Sequence, residues 1–355
     1  MVNTESASYQ TLLHVMRGSV VESMHFGAAA VVARDGSLQA WWGDPEVCTY
    51  SRSSAKPFQA VALIESGGAE KFNLSPEHIA VTCASHSGTD RHVEVLRSYH
   101  ERIGINEDDL LCGTHPPTDR ITAERLISEG VTPTQIRHNC SGKHTGMLAL
   151  SKLKGYSTGD YIASEHPVQQ LILRTFAEVC GYPVDKIELG TDGCSVPVYA
   201  LPLRFFAQAY ARLVDPVDLA AERARACRTI TTAMTSHPFL VAGPDRFDTR
   251  LMEVTGGRLL TKGGAEGFQG VGIPPDALYP GSAALGVALK IADGDHGGRA
   301  RPVVTVEILK QLGALSEQEA EQVLPAERST IRNWRGLHVG ELVPVFQLQG
   351  QLQEL

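Results

Sequence analysis

The chain alternates apolar and polar residues near both of its ends. The residue types of Leu12–Glu22 and Phe26–Ala33 predict β-strands. Asp35-Gly36 then predicts a hairpin turn before a further strand over Ser37–Trp42. Leu337–Leu348 alternates like a strand. We therefore expect both chain ends to join one antiparallel sheet.

Most segments between these ends carry apolar residues at helical spacing. Ser75-Pro76-Glu77 is typical of a helix start, where serine caps the first turn and proline is tolerated. Gly294–Gly298 is rich in glycine and aspartate and predicts an exposed loop. The other predicted helices are Asp90–Arg102, Pro167–Val179, Tyr199–Val214, Leu219–Met234 and Ser282–Ala292. A helical body inserted between the two halves of a sheet is an α+β fold.

Length, composition and charge narrow the range of functions. A chain of 355 residues can bury a large core, and we expect two lobes in a single catalytic unit that spans residues 1–355. Hydrophobic residues make up 43% of the chain and charged residues 20%, which is typical of a globular protein. The formal net charge of -8 argues against nucleic acid or an anionic membrane as the main partner.

The lack of a recognisable targeting signal and the pattern of cysteines predict a reducing compartment. No apolar run is long enough to cross a bilayer, and Met1–Ser6 lacks the basic and apolar regions of a signal peptide. We therefore expect a cytoplasmic protein. The seven cysteines are scattered and odd in number, so we expect thiols or metal ligands rather than a disulfide framework.

A Ser-x-x-Lys motif stands directly before an apolar run with helical spacing. The motif is Ser53-Ser54-Ala55-Lys56, and Pro57 after it suits the first turn of a helix. Ser53 and Lys56 would share one face of that helix, since they lie three residues apart. A lysine that takes the proton of a nearby hydroxyl turns serine into a nucleophile. The same motif also occurs at ordinary capped helix starts, so alone it does not decide the function.

Two further segments hold a serine or a lysine among small residues. Cys83–Gly88 contains Ser85 where a substrate or a backbone could approach closely, although this segment by itself favours a polar turn that caps the next helix. Thr261–Gly264 places Lys262 before two glycines. That lysine could lie on a strand edge and reach into a cleft, or it could be solvated in a turn.

Two segments with cysteine could together bind a metal ion. His138–His144 concentrates Cys140 with a lysine and two histidines, and Gly190–Ser195 contains Cys194. Two thiolates suit zinc. No Cys-x-x-Cys pair is present, so Lys143 or the histidine after it would have to complete the site. Lysine is a rare ligand because its nitrogen must first lose a proton.

Taken in order, these segments resemble known families. A Ser-x-x-Lys helix start, a second serine and a late Lys-Gly-Gly are similar to penicillin-recognising enzymes and serine-dependent glutaminases, although the middle motif lacks the Ser-Asp-Asn form. The whole set resembles the asparaginase II family, the rhizobial-type L-asparaginases. The segments that carry this resemblance are Arg17–Ser23, Arg52–Pro57, Cys83–Gly88, Cys112-Gly113, His138–His144, Thr191–Cys194 and Lys262–Gly267.

The resemblance implies a fold, an assembly and a set of site residues. The fold is expected to be similar to serine β-lactamases and penicillin-binding proteins, and the protein to be a homodimer. The two Ser-Lys pairs of the family fall on Ser53 with Lys56 and on Ser85 with Lys262. Its zinc ligands fall on Cys140, Lys143 and Cys194, with a water in the fourth place. The expected substrate-binding residues are Arg52, His86, Asp192 and His144.

We therefore expect an L-asparaginase that converts L-asparagine and water to L-aspartate and ammonia, with Zn²⁺ bound. Either Ser53 or Ser85 would attack the side-chain amide carbon, and the helical spacing to Lys56 favours Ser53. Two alternatives stay open. One is a serine-dependent glutaminase or β-lactamase-like amidase without metal. The other is a non-catalytic zinc protein in which the Ser-Lys motifs are helix caps.

Overall fold

The computed structural model describes residues 9–350, apart from the side chain of Glu327. The segment Met1–Ser6, in which no signal peptide was expected, lies outside these residues. The strands are β1 Gln10–Arg17, β2 Val20–Ala33, β3 Leu38–Trp42, β4 Cys48–Tyr50, β5 Glu188–Thr191, β6 Pro197–Pro202, β7 Leu260–Gly263, β8 Phe268–Ile273, β9 Leu285–Ile291, β10 Thr330–Arg332, β11 His338–Pro344 and β12 Gln349–Gly350.

Helices account for most of the middle of the chain. They are α1 Lys56–Glu65, α2 Gly68–Lys71, α3 Pro76–Thr82, α4 Asp90–Ile103, α5 Arg120–Ser128, α6 Ser141–Lys154, α7 Pro167–Cys180, α8 Leu203–Val214, α9 Ala221–Ser236, α10 Pro238–Val241, α11 Phe247–Val254, α12 Ala300–Gln311, α13 Glu317–Val323 and α14 Ala326–Ser329. Short 3₁₀ turns include Arg52–Ala55 before α1 and Gln135–Arg137 before α6.

The described residues divide into two compact units. The sheet unit comprises residues 9–54, 200–215 and 254–350, and the helical unit comprises residues 55–199 and 216–253. Together, sheet and helices confirm the α+β class. That residues 1–355 act as one catalytic unit stays a prediction.

The sheet unit is built on an antiparallel sheet to which both chain ends contribute. Its strand order is β10-β11-β1-β2-β9-β8-β7, and β3 pairs with β2 and β12. Strand β1 pairs antiparallel with β11 near the C-terminus, which confirms the prediction from the two alternating end segments. Strand β7, which carries Lys262, ends the strand order and pairs with β8.

Glycines on the central strands let α8 approach this sheet closely. A Cβ added to Gly286 on β9 would lie 1.8 Å from Ala207 O, and one added to Gly270 on β8 would lie 1.9 Å from the Tyr210 ring. Both distances are far shorter than a non-bonded contact allows. The close packing buries Tyr210 completely, and its hydroxyl then needs a partner inside the unit.

Three predicted elements in or next to the sheet unit are wrong in whole or part. Leu12–Glu22 is not one strand, because a turn with Gly18 at a φ of 55° separates β1 from β2. Tyr199–Val214 becomes helical only at Leu203, since β6 precedes it. Ser282–Ala292 is strand β9 and not a helix. All seven residues of β9 are buried, so small and large apolar residues cover both faces and obscure the strand period.

The helical unit surrounds α1, which is buried along nearly its whole length. Helix α1 packs against α6, α7 and α9. The start of α3 has a capping box between Ser75 and His78, which confirms the predicted cap. The predicted helices Asp90–Arg102, Pro167–Val179 and Leu219–Met234 are confirmed as α4, α7 and α9. Across the part of the chain that the structure covers, no helix has both the length and the apolar character needed to span a membrane.

Candidate active site

Lys56 is the first residue of α1 and is 1% exposed. Its Nζ donates to Ala84 O at 2.6 Å, to Ser85 Oγ at 2.9 Å and to Asn139 O at 3.3 Å. A buried lysine is costly unless polar groups surround its nitrogen. Two separate loops meet that requirement here, since together they supply two main-chain carbonyls and one serine hydroxyl.

Ser85 lies in the irregular segment between α3 and α4. Helix α3 ends at Thr82, and the Ser85 N–H donates to Val241 O at 2.9 Å, which anchors the segment on the last residue of α10. Ser85 is 8% exposed. The anchored backbone therefore holds the Ser85 hydroxyl at hydrogen-bond distance from Lys56 within the helical unit.

Ser53 lies in the 3₁₀ turn Arg52–Ala55, and the sheet unit fixes the residues beside it. The Oγ of Ser54 donates to Lys262 O at 2.8 Å, and Tyr210 Oη donates to Ser54 O at 2.8 Å. Ser53 itself is partly exposed. These contacts hold the turn against strand β7.

Lys262 is also buried, at 1% exposed, and its Nζ donates to Gly263 O at 2.6 Å. The next glycine explains how closely this strand end meets the serine turn. A Cβ added to Gly264 would lie 2.3 Å from Ser51 O. The Lys-Gly-Gly sequence therefore places a lysine and a glycine backbone without a side chain against the segment that precedes Ser53.

Arg52 has a left-handed backbone, with a φ of 50°. This conformation costs an L-residue other than glycine about 1–2 kcal/mol. Such strain is often found at functional sites, where surrounding contacts maintain it. The strained residue stands directly before Ser53 and therefore marks this turn as a candidate functional segment.

The structure joins Lys56 to Ser85 by a hydrogen bond, whereas the resemblance pairs Ser53 with Lys56 and Ser85 with Lys262. In the helical unit Lys56 contacts Ser85, and in the sheet unit the turn that holds Ser53 contacts the strand of Lys262. The four catalytic assignments stay predictions.

The three predicted zinc ligands lie together in the helical unit. Lys143 Nζ is 2.9 Å from Cys194 Sγ, and Cys140 and Cys194 are linked by a side-chain hydrogen bond. The Oδ2 of Asp192 lies 3.8 Å from Cys194 Sγ and 3.9 Å from Lys143 Nζ. The structure therefore gathers two sulfur atoms, an amine and a carboxylate. All seven cysteines lie among the described residues and none forms a disulfide, as the sequence predicted.

Charge is strongly coupled within this cluster. The hydrogen bond from Cys194 holds the pKa of the Cys140 thiol well below its ordinary value, and it raises the pKa of Cys194 in turn. Burial lowers the pKa of Lys143, but Cys194, Cys140 and Asp192 outweigh it and raise that pKa above its ordinary value. These shifts favour a negative charge on Cys140 and a positive charge on Lys143.

The two histidines predicted to bind substrate are fully buried. His86 Nε2 bonds to Ser141 Oγ at 2.8 Å and its Nδ1 accepts the Gly88 N–H at 3.1 Å, so both ring nitrogens are engaged within the helical unit. His144 Nδ1 lies 2.7 Å from Tyr161 Oη. Burial is the main reason that the pKa of each ring lies well below its ordinary value. Their role as substrate-binding residues, like that of Arg52 and Asp192, stays a prediction.

Comparison with known proteins identifies the family. The sequence profile of L-asparaginase II matches residues 13–344, nearly the whole chain. The chain belongs to the L-asparaginase II family. This confirms the family that the sequence motifs resemble and makes the protein an amidohydrolase, whereas the rhizobial type stays a prediction. The homodimer and the cytoplasmic location stay predictions for this L-asparaginase II family member.

Two solved Bacillus subtilis structures, one of a glutaminase and one of a probable glutaminase, match the chain at low identity. One is a covalent complex with 5-oxo-L-norleucine and is 15% identical, with 79% of this chain and 87% of that chain covered and a TM-score of 0.35. The other, a probable glutaminase, is 13% identical, with 79% and 88% covered and the same TM-score of 0.35. At these scores the matches carry no argument, and the similarity to serine β-lactamases stays a prediction. No curated protein matches the chain.

A cleft of about 640 Å³ opens beside the loop of Cys194 in this family member. Thr191 and Ser195, which flank the turn Asp192–Cys194, form part of its wall. The other lining residues are Leu111, Asp160, Ile162, Ala163, Ser164, Glu165, Leu189, Gly190 and Pro197. None of the predicted catalytic residues lines this cleft.

Several groups of the candidate site could not be found from sequence motifs. Two of the groups that contact Lys56 are the main-chain carbonyls of Ala84 and Asn139, and a carbonyl has no sequence signature. Tyr210 and His115 also contact the candidate segments, through Ser54 and Asn139 respectively. Neither residue lies in a motif that the sequence singles out, so only the tertiary structure reveals them.

Proposed function

We propose that this protein is an L-asparaginase, which hydrolyses the side-chain amide of L-asparagine to L-aspartate and ammonia. The observation that carries the proposal is the hydrogen bond of 2.9 Å between Lys56 and Ser85 in a member of the L-asparaginase II family. It joins two residues of the predicted Ser-Lys set. A lysine beside serine hydroxyls can move the protons that amide hydrolysis requires.

In the proposed mechanism, Ser53 Oγ attacks the amide carbon while Lys56 takes its proton. Ser53 and Lys56 are three residues apart, where the 3₁₀ turn Arg52–Ala55 runs directly into α1, and this is the spacing of one 3₁₀ turn. The tetrahedral intermediate then expels ammonia after Lys56 returns the proton to the leaving nitrogen. Water hydrolyses the aspartyl ester and frees Ser53.

The second pair supports these proton transfers. Ser85 contacts Lys56 directly and relays protons to and from it. Lys262 polarises the nucleophile, and main-chain N–H groups at the start of α1 stabilise the oxyanion. Arg52 and Asp192 keep their expected roles as residues that bind the substrate.

We also propose that Cys140, Lys143 and Cys194 hold one Zn²⁺. The residues fit this ion, since two buried sulfur atoms and a nitrogen lie together beside a carboxylate, and soft sulfur ligands favour zinc over magnesium or calcium. When bound, the ion would supply a fixed positive charge that orients the substrate. Lys143 would first have to lose its proton, which its raised pKa opposes.

Purified protein is therefore expected to contain about one zinc per chain. Cys140→Ser and Cys194→Ser should each lower the zinc content, and chelated protein should melt at a lower temperature because the ion binds only the folded state. Zinc affinity should fall as the pH drops, since protons compete for Lys143. Elemental analysis and thermal melts measure these effects.

Cys227→Ser is the matched control for the zinc experiment. Cys227 is a buried thiol on α9 outside the cluster, so its replacement should leave the zinc content unchanged. Fully active wild-type protein that contains no zinc and does not respond to added zinc would contradict a functional zinc site.

Ammonia release from asparagine and from glutamine tests the proposed substrate. We expect kcat/KM for L-asparagine to exceed that for L-glutamine by at least about tenfold, because one extra methylene changes recognition by roughly 1–3 kcal/mol. Equal or higher kcat/KM for glutamine would replace the proposal with a glutaminase. No turnover of either amide would reject both.

A further inference from the structure

One turn of the helical unit, residues 138–140, presents a carbonyl to Lys56. Asn139 O is 3.3 Å from Lys56 Nζ, the longest of the three contacts made by that nitrogen. The turn lies between a 3₁₀ turn that ends at Arg137 and helix α6, which begins at Ser141. No regular secondary structure therefore sets the direction of this carbonyl.

The ring of His138 sets that direction. Asn139 O and the N–H of Cys140 belong to one planar peptide group, so the orientation of one fixes the orientation of the other. The Cys140 N–H donates to His138 Nδ1 at 3.0 Å. His138 is 8% exposed, and its buried ring thus acts as a side-chain acceptor for a main-chain group two residues later, as asparagine does in Asx turns.

His115 supports the same turn from outside the motif. Its Nε2 accepts the Asn139 N–H at 3.0 Å, and its Nδ1 donates to Pro116 O at 2.6 Å. A single neutral tautomer, with the proton on Nδ1, satisfies both bonds. The ring centroid of His115 lies 4.4 Å from that of His138. Two successive peptide groups are therefore each held by a histidine ring.

We propose that His138, supported by His115, is a positioning residue that orients the Asn139 carbonyl and so holds Lys56 in place for proton transfer. The inference rests on the proposed function, in which Lys56 is the general base. A base that is displaced by about 1 Å can lose about 100-fold in rate. The hydrogen bond from Lys56 Nζ to Asn139 O is already long at 3.3 Å, so a small shift of the turn would break it.

His138→Leu and His138→Asn test this role as a pair. Leucine removes the acceptor for the Cys140 N–H, and we expect kcat to fall by about 10- to 100-fold while KM stays within about threefold. Asparagine restores an acceptor at the same distance along the side chain, so kcat should recover to within about threefold of wild type. Equal losses in both variants, or a change in KM alone, would overturn the proposal.

His166→Leu is the matched control. His166 is also 8% exposed, and its Nδ1 accepts the N–H of Val168, two residues later, at 3.2 Å at the start of α7. Its replacement breaks the same kind of bond away from Lys56. We expect a similar loss in melting temperature with kcat unchanged. A matching fall in kcat for His166→Leu would show that the effect reports stability and not positioning.

Crystal structures of the His138 variants separate this inference from the proposed function. In His138→Leu the distance from Asn139 O to Lys56 Nζ should increase beyond about 3.5 Å, whereas His138→Asn should keep the hydrogen bond. An unchanged contact in the leucine variant overturns the positioning role, whatever the enzyme hydrolyses. Wild-type protein without amidase activity would instead reject the proposed function. The measured effect of His138 on the distance from Asn139 O to Lys56 Nζ would not be affected.

Discussion

Ser53→Ala is expected to reduce kcat for asparagine by roughly 10⁴–10⁶-fold, the usual loss when an activated nucleophile is removed. The fold should survive, because Ser53 is partly exposed and the neighbouring Ser54 makes the buried hydrogen bonds that hold the turn. The free energy of unfolding should change by no more than about 1 kcal/mol. Steady-state kinetics and chemical denaturation of the same preparation measure both quantities.

Ser75→Ala is the control that separates a nucleophile from a helix cap. Ser75 caps α3 through a capping box with His78, so its loss should cost about 1 kcal/mol of stability and leave kcat unchanged. If a folded Ser53→Ala protein keeps a kcat near that of wild type, Ser53 is not the nucleophile and the turn Arg52–Ala55 has only a structural role.

Lys56→Arg is expected to lower kcat by roughly 10²–10⁴-fold, the size of a general acid–base contribution. Arginine keeps the positive charge but does not give up its proton in proteins, so it cannot act as a base. Its larger planar group must also fit among Ala84 O, Ser85 Oγ and Asn139 O, which surround the 1% exposed Lys56. Single-turnover kinetics on folded protein measure the rate of the chemical step.

Lys290→Arg controls for the strain of placing arginine at a buried lysine. Lys290 is also buried, and its Nζ donates to the main-chain carbonyls of Glu266 and Ile291 in the sheet unit. This variant should melt at a lower temperature but retain kcat within a few-fold. Wild-type activity in Lys56→Arg would show that Lys56 supplies only charge and that another group is the base.

Residue type and the alternation of apolar and polar residues predicted two features of the fold. The cap at Ser75 and the pairing of both chain ends follow from residue type and from two-residue alternation, and the structure contains them. Strand β9 was mistaken for a helix because it is buried on both faces, where alternation no longer separates apolar from polar residues. Burial on both faces is a tertiary property that a single sequence does not display.

The candidate site was also predicted only in part. The motifs contain Lys56 and Ser85, but their hydrogen bond joins residues 29 positions apart and depends on the anchor between Ser85 and Val241. His138 lies in a segment that the sequence singles out, although its bond to the Cys140 N–H is visible only in the folded turn. Contacts made by main-chain groups leave no trace in residue identity, so this part of the site could not be predicted.

The most direct test of the central claim is peptide mapping by mass spectrometry after wild-type protein is mixed with L-asparagine and quenched in acid. The Ser-Lys mechanism predicts one aspartyl group in ester linkage on the peptide that contains Ser53, and no such group in the Ser53→Ala protein. An aspartyl group on the Ser85 peptide would assign the attack to the other serine. Rapid turnover without any acylated peptide would contradict a covalent serine mechanism.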